Sequence, residues 1–263
     1  MKKCTIILCL LLCWIADASA SSDITTMKIS DDTYVMSAVD YGTNIGVIST
    51  EKGVVVIDPM PGKALLPALA KQINDLTQSQ VRFVLNTHNH EDHTGGNEFF
   101  IGEGAQQFNS PDAIAEIDSL LVNSHTPKDQ VFFLHRENVV FTGDVFDTSW
   151  HPTFYSGGLK GFDDAIDRIL ALGDEQTLIV PGHGKPADKA ALRKFRKDTH
   201  DWVARVKVLH QQGLSISEMQ QHPDIQSILQ RFNVEQRAEF IPERAFQRFL
   251  ERTVTLIETD KGA

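Results

Sequence analysis

Residues 87–96 read THNHEDHTGG, which crowds three histidines and two acids between His88 and His93, directly after the apolar run VRFVL (81–85). Imidazoles this close would repel one another on protonation, and the crowding brings no compensating gain unless a cation draws them together. Whatever this chain folds into must therefore end a buried strand at a cation site. In an extended segment residues two apart point the same way, so His88 and His90 can grip one ion from the same side. Asp92 and His93, past the bend, can face a second, and Gly95 and Gly96 suit a tight exit into the next helix.

Cysteine usage narrows the chemistry. Cys4, Cys9 and Cys13 all lie within the first twenty residues, MKKCTIILCLLLCWIADASA. That stretch has a basic start at Lys2 and Lys3, an apolar centre and an Ala18-x-Ala20 exit, the pattern of a secretory signal peptide cleaved after Ala20. The expected location is periplasmic or secreted, with no stable membrane anchor after cleavage. The mature chain then has no cysteine, so disulfides are excluded and any metal must be held by nitrogen and oxygen. The whole chain carries a formal charge of −10, and processing removes two lysines and one aspartate. So acidic a surface disfavours nucleic acid as a partner, and a small molecule is the expected one.

Periodicity places the loop in an α/β pattern. ITTMKIS, TYVMSAV, NIGVIST and GVVVIDP read as a meander of strands. Leu65, Leu66, Leu69, Ile73 and Leu76 give the next segment an amphipathic helix, and VRFVL is a buried strand. A helix is expected from Ser110 with Pro111 in its first turn. SLLVNS then forms a strand ending at His125, and VFFLHRENVVFTGD a hairpin turning at 136–138. FDDAIDRILALGD is helical, and TLIV is a short strand running into PGHG. From Ala187 the pattern is helical, interrupted near Gly213 and Pro223, and Leu192, Phe195, Trp202, Val203, Val206 and Leu209 form a face suited to docking on the core. Two similar halves suggest sheets inside and helices outside.

Four ordered segments, NIGVISTEKGVVVIDPMPG, NTHNHEDHTGGN, SHTPKDQVFFLHRENVVFTGDVF and LIVPGHG, resemble the metallo-β-lactamase superfamily of dinuclear zinc hydrolases across roughly residues 33–185. The resemblance implies an α/β, four-layer αββα sandwich formed by residues 21–263, with a helical tail from about 187. It also implies two Zn²⁺ per monomer, iron and manganese remaining open, held by His88, His90 and His125 on one side and Asp92, His93 and His183 on the other. Asp144 would bridge them. Taken singly, His125, His183 and Asp144 read equally well as a loop residue, a turn histidine and a strand-end cap. Asp58, closing the buried run VVVID, resembles the acid that orients a metal-binding histidine; a turn-initiating Asp before Pro59 is the other reading.

The implied reaction is attack by metal-activated water on an ester, thioester, lactone or related phosphoryl substrate, with Asp92 orienting the water or taking its proton. Asp144 stands where true lactamases carry Cys or Ser, which favours the broader hydrolase group over a periplasmic β-lactam hydrolase. An inactive metal-binding relative and an iron-dependent redox member also fit the same ligand set. Trp150, His151, Phe154 and Tyr155, just beyond Asp144, are candidates for a substrate pocket. Only 32 positions separate His93 from His125, a shortened middle segment that threatens the strand cover of the second sheet. Oligomeric state is not legible.

Overall fold

Alternation within the apolar runs decides which face each strand gives to which layer. In the computed structural model, which describes residues 23–39, 41–108, 114 and 116–259, β4 (Gly53–Ile57) turns Val54 and Val56 outward, into a cluster with Leu66, Leu69 and Ile73 of α1 (Leu66–Thr77). Val55 and Ile57 of the same strand point the other way, into a cluster with Phe132, Leu134, Val139 and Phe141. The opposing sheet follows the same rule: Val131 and Phe133 of β8 (Asp129–Leu134) turn outward, against Phe162, Ile166, Leu192 and Trp202. These two strands are thus buried on both faces, and the result is four layers, helix, sheet, sheet, helix.

The first sheet has six strands in sequence order: β1 (Ile24–Lys28), β2 (Thr33–Ala38), β3 (Ile45–Thr50), β4, β5 (Val81–Leu85) and the two-residue β6 (Gln106–Gln107). The first four pair antiparallel, and β4–β5 and β5–β6 pair parallel. The second sheet has the order β10 (Leu178–Val180), β9 (Val139–Phe141), β8, β7 (Ile117–Val122). β8 runs antiparallel to both neighbours and β10 parallel to β9, so the carboxyl ends of β7, β9 and β10 share one edge.

Helices α4 (Gly158–Leu170), α5 (Lys189–Gln211), α6 (Ile216–Gln221), α7 (Pro223–Arg231) and α8 (Glu243–Thr259) cover the second sheet. The expected docking face of α5 is buried at Leu192, Phe195, Trp202, Val206 and Leu209, with Val203 half-buried. Trp202 stacks on Phe249 of α8 with ring centres 4.1 Å apart, and its indole donates to Thr253 Oγ1 at 2.9 Å.

Three local expectations change. The strand read as SLLVNS begins earlier, at Ile117, and stops at Val122, because its alternating residues pair with β8 up to Asp129 while 123–128 bend away to present His125. Gly95 and Gly96 have ordinary helical backbone, φ −63° and −93°. Glycine is needed at 96 for space: a Cβ there would strike the Pro59 carbonyl and the Leu66 side chain. Leu76 is 38% exposed rather than part of the helix's buried face. The signal peptide and the helix start at Ser110–Pro111 lie outside the described residues.

Candidate metal centre

Every group in the centre follows the carboxyl end of a strand. β5 leads to His88 and His90, and to Asp92 and His93 in the short helix α2 (Glu91–Thr94), after which α3 (Asn97–Gly102) carries the chain away. β7 leads to His125, β9 to Asp144 in a single 3₁₀ turn (Gly143–Val145), and β10 to His183. The first sheet thus supplies four groups and the second sheet three, facing one another across the seam.

Ligand-type atoms of His88, His90, His125 and Asp144 lie within 4.8 Å of one another, as do those of Asp92, His93, Asp144 and His183. His90 Nδ1 is 3.1 Å from His88 Nε2 and 2.9 Å from His125 Nε2. A tetrahedral cation with nitrogen ligands at ~2.0 Å would set them about 3.3 Å apart. In the second group Asp92 Oδ2 is 3.4 Å from His183 Nε2, and Asp144 Oδ1 is 3.2 Å from His93 Nε2 and 3.5 Å from His183 Nε2. The other oxygen of Asp144, Oδ2, lies 3.5 Å from His125 Nε2 and 3.9 Å from His88 Nε2. One carboxylate therefore offers one oxygen to each group.

The surroundings fix which imidazole nitrogen is presented. Asp58 Oδ2 sits 2.9 Å from His93 Nδ1 while its carboxylate also accepts from Thr87 N (2.8 Å) and Thr87 Oγ1 (2.6 Å). His93 thus donates from Nδ1 and turns Nε2 inward. His125 donates from Nδ1 to Thr153, with Oγ1 at 2.7 Å, and His183 from Nδ1 to the Tyr41 carbonyl at 3.1 Å. Partners of this kind set the tautomer and orientation of metal-binding histidines. Asp58 holds its place at φ 53°, a backbone conformation unusual for a non-glycine residue.

The donor set fits a pair of divalent cations. His93 Nε2 and Asp144 Oδ1 are buried without a hydrogen bond, a cost that a cation would remove. Burial pushes His88 down to about 3, so it presents a free lone pair at neutral pH. The hydrogen bond with His183 holds Asp92 at about 2, and so ionised. Burial opposes ionisation of Asp144, yet the neighbouring His93 and His183 outweigh it and keep this carboxyl well below the usual range. His88 and both carboxylates are thus in the forms a metal requires, whereas at His93 and His183 burial is outweighed by the neighbouring carboxylates, which push His93 up and His183 up to about 9. A cation would have to displace those two protons.

Two supporting acids were not singled out in the sequence. Asp129 is 2% exposed and gathers the His125 loop, accepting from Ser124 N (3.1 Å), His125 N (2.8 Å), Thr126 N (2.9 Å) and Thr126 Oγ1 (2.6 Å). Its signal was a Thr and an Asp three apart after His125, the spacing of a side-chain-closed turn. Asp147 accepts from Ser149 N (2.6 Å) and Trp150 N (2.9 Å), and burial pushes its carboxyl up to about 6.

A cavity of about 850 Å³ opens over the centre, with Asp92, Asp144 and His183 in its floor and Trp150, Lys185 and Arg237 in its walls. Of the four aromatic candidates, Trp150 alone lines it. His151 is buried and stacks on Phe249 at 4.1 Å, Phe154 is 2% exposed in the helix-covered core, and Tyr155 packs under Arg252. His151 and Tyr155 meet α8 and Phe154 meets Phe162 of α4, contacts that override the loop's proximity to Asp144. The remaining histidines serve elsewhere: His135 pairs with Asp118, His200 with Asp163 and His210 with Glu258, and His222 caps α7.

Residues 38–105 match the family model of the metallo-beta-lactamase superfamily. A probable hydroxyacylglutathione hydrolase of Schizosaccharomyces pombe is 26% identical over 148 residues, 49% of this chain and 57% of that relative. The hydroxyacylglutathione hydrolase of Pelagibacter ubique is 28% identical over 182 residues, 61% of this chain and 70% of the relative. The chain thus spans little more than half the length of the first of these. Among solved structures, a metallo-beta-lactamase from Pontibacter korlensis superposes with a TM-score of 0.56 at 21% identity, covering 66% of this chain and 97% of that one. Four layers, strand-end ligands on both sheets and a matched segment that contains the histidine loop agree: residues 38–105 match the metallo-beta-lactamase superfamily, and the fold of the chain is that of metallo-beta-lactamases.

Proposed function

We propose that this protein is a dinuclear zinc hydrolase of acyl substrates, with thioesters and esters as its preferred class. The observation that carries the reading is Asp144, whose two oxygens face two separate His/Asp groups. Two zinc ions held there would lower the pKa of a water between them toward ~7 and polarise the carbonyl it attacks.

The chain's own residues do the rest. His88, His90 and His125 form one nitrogen triad, Asp58 and Thr153 hold His93 and His125 in register, and Asp92 accepts or directs the water's proton from the cavity floor. Asp92 is fit for this because its carboxylate is ionised and 35% exposed, the most open of the acids in the centre. A carboxylate that offers one oxygen to each group, where true lactamases carry Cys or Ser, and relatives named hydroxyacylglutathione hydrolases both support acyl transfer to water.

The β-lactam reading keeps a place because the shared fold is that of metallo-beta-lactamases. We place the enzyme outside the cytoplasm on the strength of residues 1–20, which fractionation of the expressing cell would check.

The deciding experiment measures metal content and then turnover of matched thioester, ester and β-lactam substrates, before and after chelation. Two zinc ions per chain with chelator-sensitive thioester or ester turnover is the expected result. Turnover of the β-lactam alone would reassign the substrate, and turnover that survives complete metal removal would overturn the mechanism.

A further inference from the structure

Asp92 Oδ2 and His183 Nε2 meet at 3.4 Å in one metal group, yet their loops arrive from opposite sheets, after β5 and after β10. The connection between β2 and β3 lies between the two loops, and its residues 41–44 bond to both. On the His183 side Thr43 forms an antiparallel bridge with His183, and the Tyr41 carbonyl accepts from His183 Nδ1. Asn44 N donates to the Gly182 carbonyl at 2.8 Å, and Asn44 Nδ2 to the carbonyls of Pro181 (2.9 Å) and Gly184 (2.8 Å). On the Asp92 side the bond comes from a side chain: Thr43 Oγ1 donates to the Asp92 carbonyl at 2.6 Å.

The need for that bond is local. α2 has four residues, too few to bond its own last carbonyls, so donors must come from outside it. Thr43 serves the carbonyl of Asp92, and Asn86 Nδ2 serves that of His93 at 3.1 Å. Thr43 is 0% exposed and does not line the cavity, so its hydroxyl meets neither water nor substrate. A hydroxyl so placed is costly unless it is bonded, and valine would fill the same space without that cost. Gly42 supplies the turn that brings Thr43 between the loops: its backbone is left-handed, φ 65°, and its N–H closes on the Ala38 carbonyl at 2.9 Å.

Resting on the hydrolase reading for what the ion does there, we propose that Thr43 is a positioning residue of the group formed by Asp92, His93, Asp144 and His183. Its hydroxyl, bonded to the Asp92 carbonyl, fixes the gap between Asp92 and His183 into which the ion fits. Thr43 acts through the main chain of Asp92 on one side and through its own main-chain bridge to His183 on the other. Removing the hydroxyl alone leaves the bridge, which is backbone, and frees the Asp92 loop. The other group is an internal control, because His88, His90 and His125 bond to Thr87, to one another and to Thr153.

The test reads zinc affinity one group at a time, by competition with a chromogenic chelator in the full chain. His90→Ala leaves only the group of Asp92 and His183 complete, and His183→Ala leaves only the group of His88, His90 and His125. Each background receives Thr43→Val, which keeps the shape and loses the hydroxyl, Thr43→Ser, which keeps the hydroxyl, and Thr43→Ala, a second deletion should valine unfold the chain. With His90→Ala, Thr43→Val and Thr43→Ala are expected to weaken zinc by about 10–100-fold and Thr43→Ser by less than about threefold; with His183→Ala all three stay within about threefold. Cobalt loaded into the His90→Ala protein should show the same split, its visible bands moving in Thr43→Val and holding in Thr43→Ser. A residue that merely packs would lower the melting temperature of the metal-free chain and weaken both groups alike, and that result would overturn the proposal. Unchanged affinity in both deletions, a loss in Thr43→Ser equal to that in Thr43→Val, or a wild-type chain that holds a single ion in the group of His88 would overturn it too. A Thr43-dependent loss of zinc in a chain without acyl turnover would sink the hydrolase reading and leave Thr43 in its role, whereas turnover with zinc binding indifferent to Thr43 would do the reverse.

Discussion

Replacing Asp129 by alanine removes the acceptor that gathers the His125 loop. Two backbone N–H groups lose their partner, from His125 and Thr126, together with the Thr126 hydroxyl, while Ser124 N keeps the Thr126 carbonyl at 3.3 Å. Thr126 is 7% exposed, so water reaches its amide and its hydroxyl poorly, whereas the loop around His125 is half-open. A buried donor left unsatisfied costs about 1–3 kcal/mol. Two such donors, less the desolvation recovered when a buried carboxylate is deleted, give an expected loss of about 3 kcal/mol, or roughly 6–12 °C in melting temperature for a chain of this size. The metal consequence is more specific. His125 loses its backbone support while Asp92, His93 and His183 keep theirs, so the two sites should separate under chelator competition. The expectation is one zinc retained near wild-type affinity and one weakened by about 10–100-fold, the usual range for loss of a ligand's support. Thermal unfolding of the metal-free protein reads the first number, and zinc titration against a chromogenic chelator reads the second. Two equally tight ions in Asp129→Ala, with a melting temperature within about 2 °C of wild type, would refute the assignment of Asp129 as the holder of this loop.

Three other outcomes follow from the same geometry. Asp58→Asn should weaken zinc by about 10–100-fold at the site containing His93, since an amide cannot accept from Thr87 N, Thr87 Oγ1 and His93 Nδ1 at once; chelator competition measures it. Gly182→Ala would drive a Cβ into Asp144 Oδ1, so both ions should weaken although no ligand is altered, and two unchanged binding steps would contradict the shared carboxylate. Burial holds His151 at about 4 against 6.5 when unfolded, so the stability it contributes is complete above pH 6.5 and lost as the pH falls toward 4. That amounts to about 3 kcal/mol, and because Asp147 titrates in the opposite sense over part of the range, the readout is the difference between wild type and His151→Phe in denaturant midpoints at about pH 7 and pH 4.5.

What could be read from the sequence was what repeats locally. The apolar runs GVVVI and VFFL marked strands, and the period near 3.6 in α5 marked the face that docks. The histidine loop was legible because few other arrangements make three imidazoles tolerable within so short a span. Contacts between distant segments left no such trace. Nothing near His151 announces Phe249, and nothing near Ser149 announces Arg237, so the aromatic loop reads as pocket lining although only Trp150 serves that role. Asp129 was hidden for another reason: its partners are backbone amides, which have no sequence signature beyond the neighbouring Thr126.

The seven groups of the centre are divided four to three between two sheets that share no ladder. Near the centre the sheets are joined by the isolated bridge between Thr43 and His183 and by the Asn44 side chain, which donates to the carbonyls of Pro181 and Gly184. Ions bound there act as rivets across a joint. At a free concentration about a thousandfold above its dissociation constant, an ion that binds only the assembled joint adds about 4 kcal/mol to the work of opening it. Metal supply would then govern the protein's lifetime as well as its chemistry: a starved cell would hold a molecule easier to prise apart at its seam, and proteases would find it first.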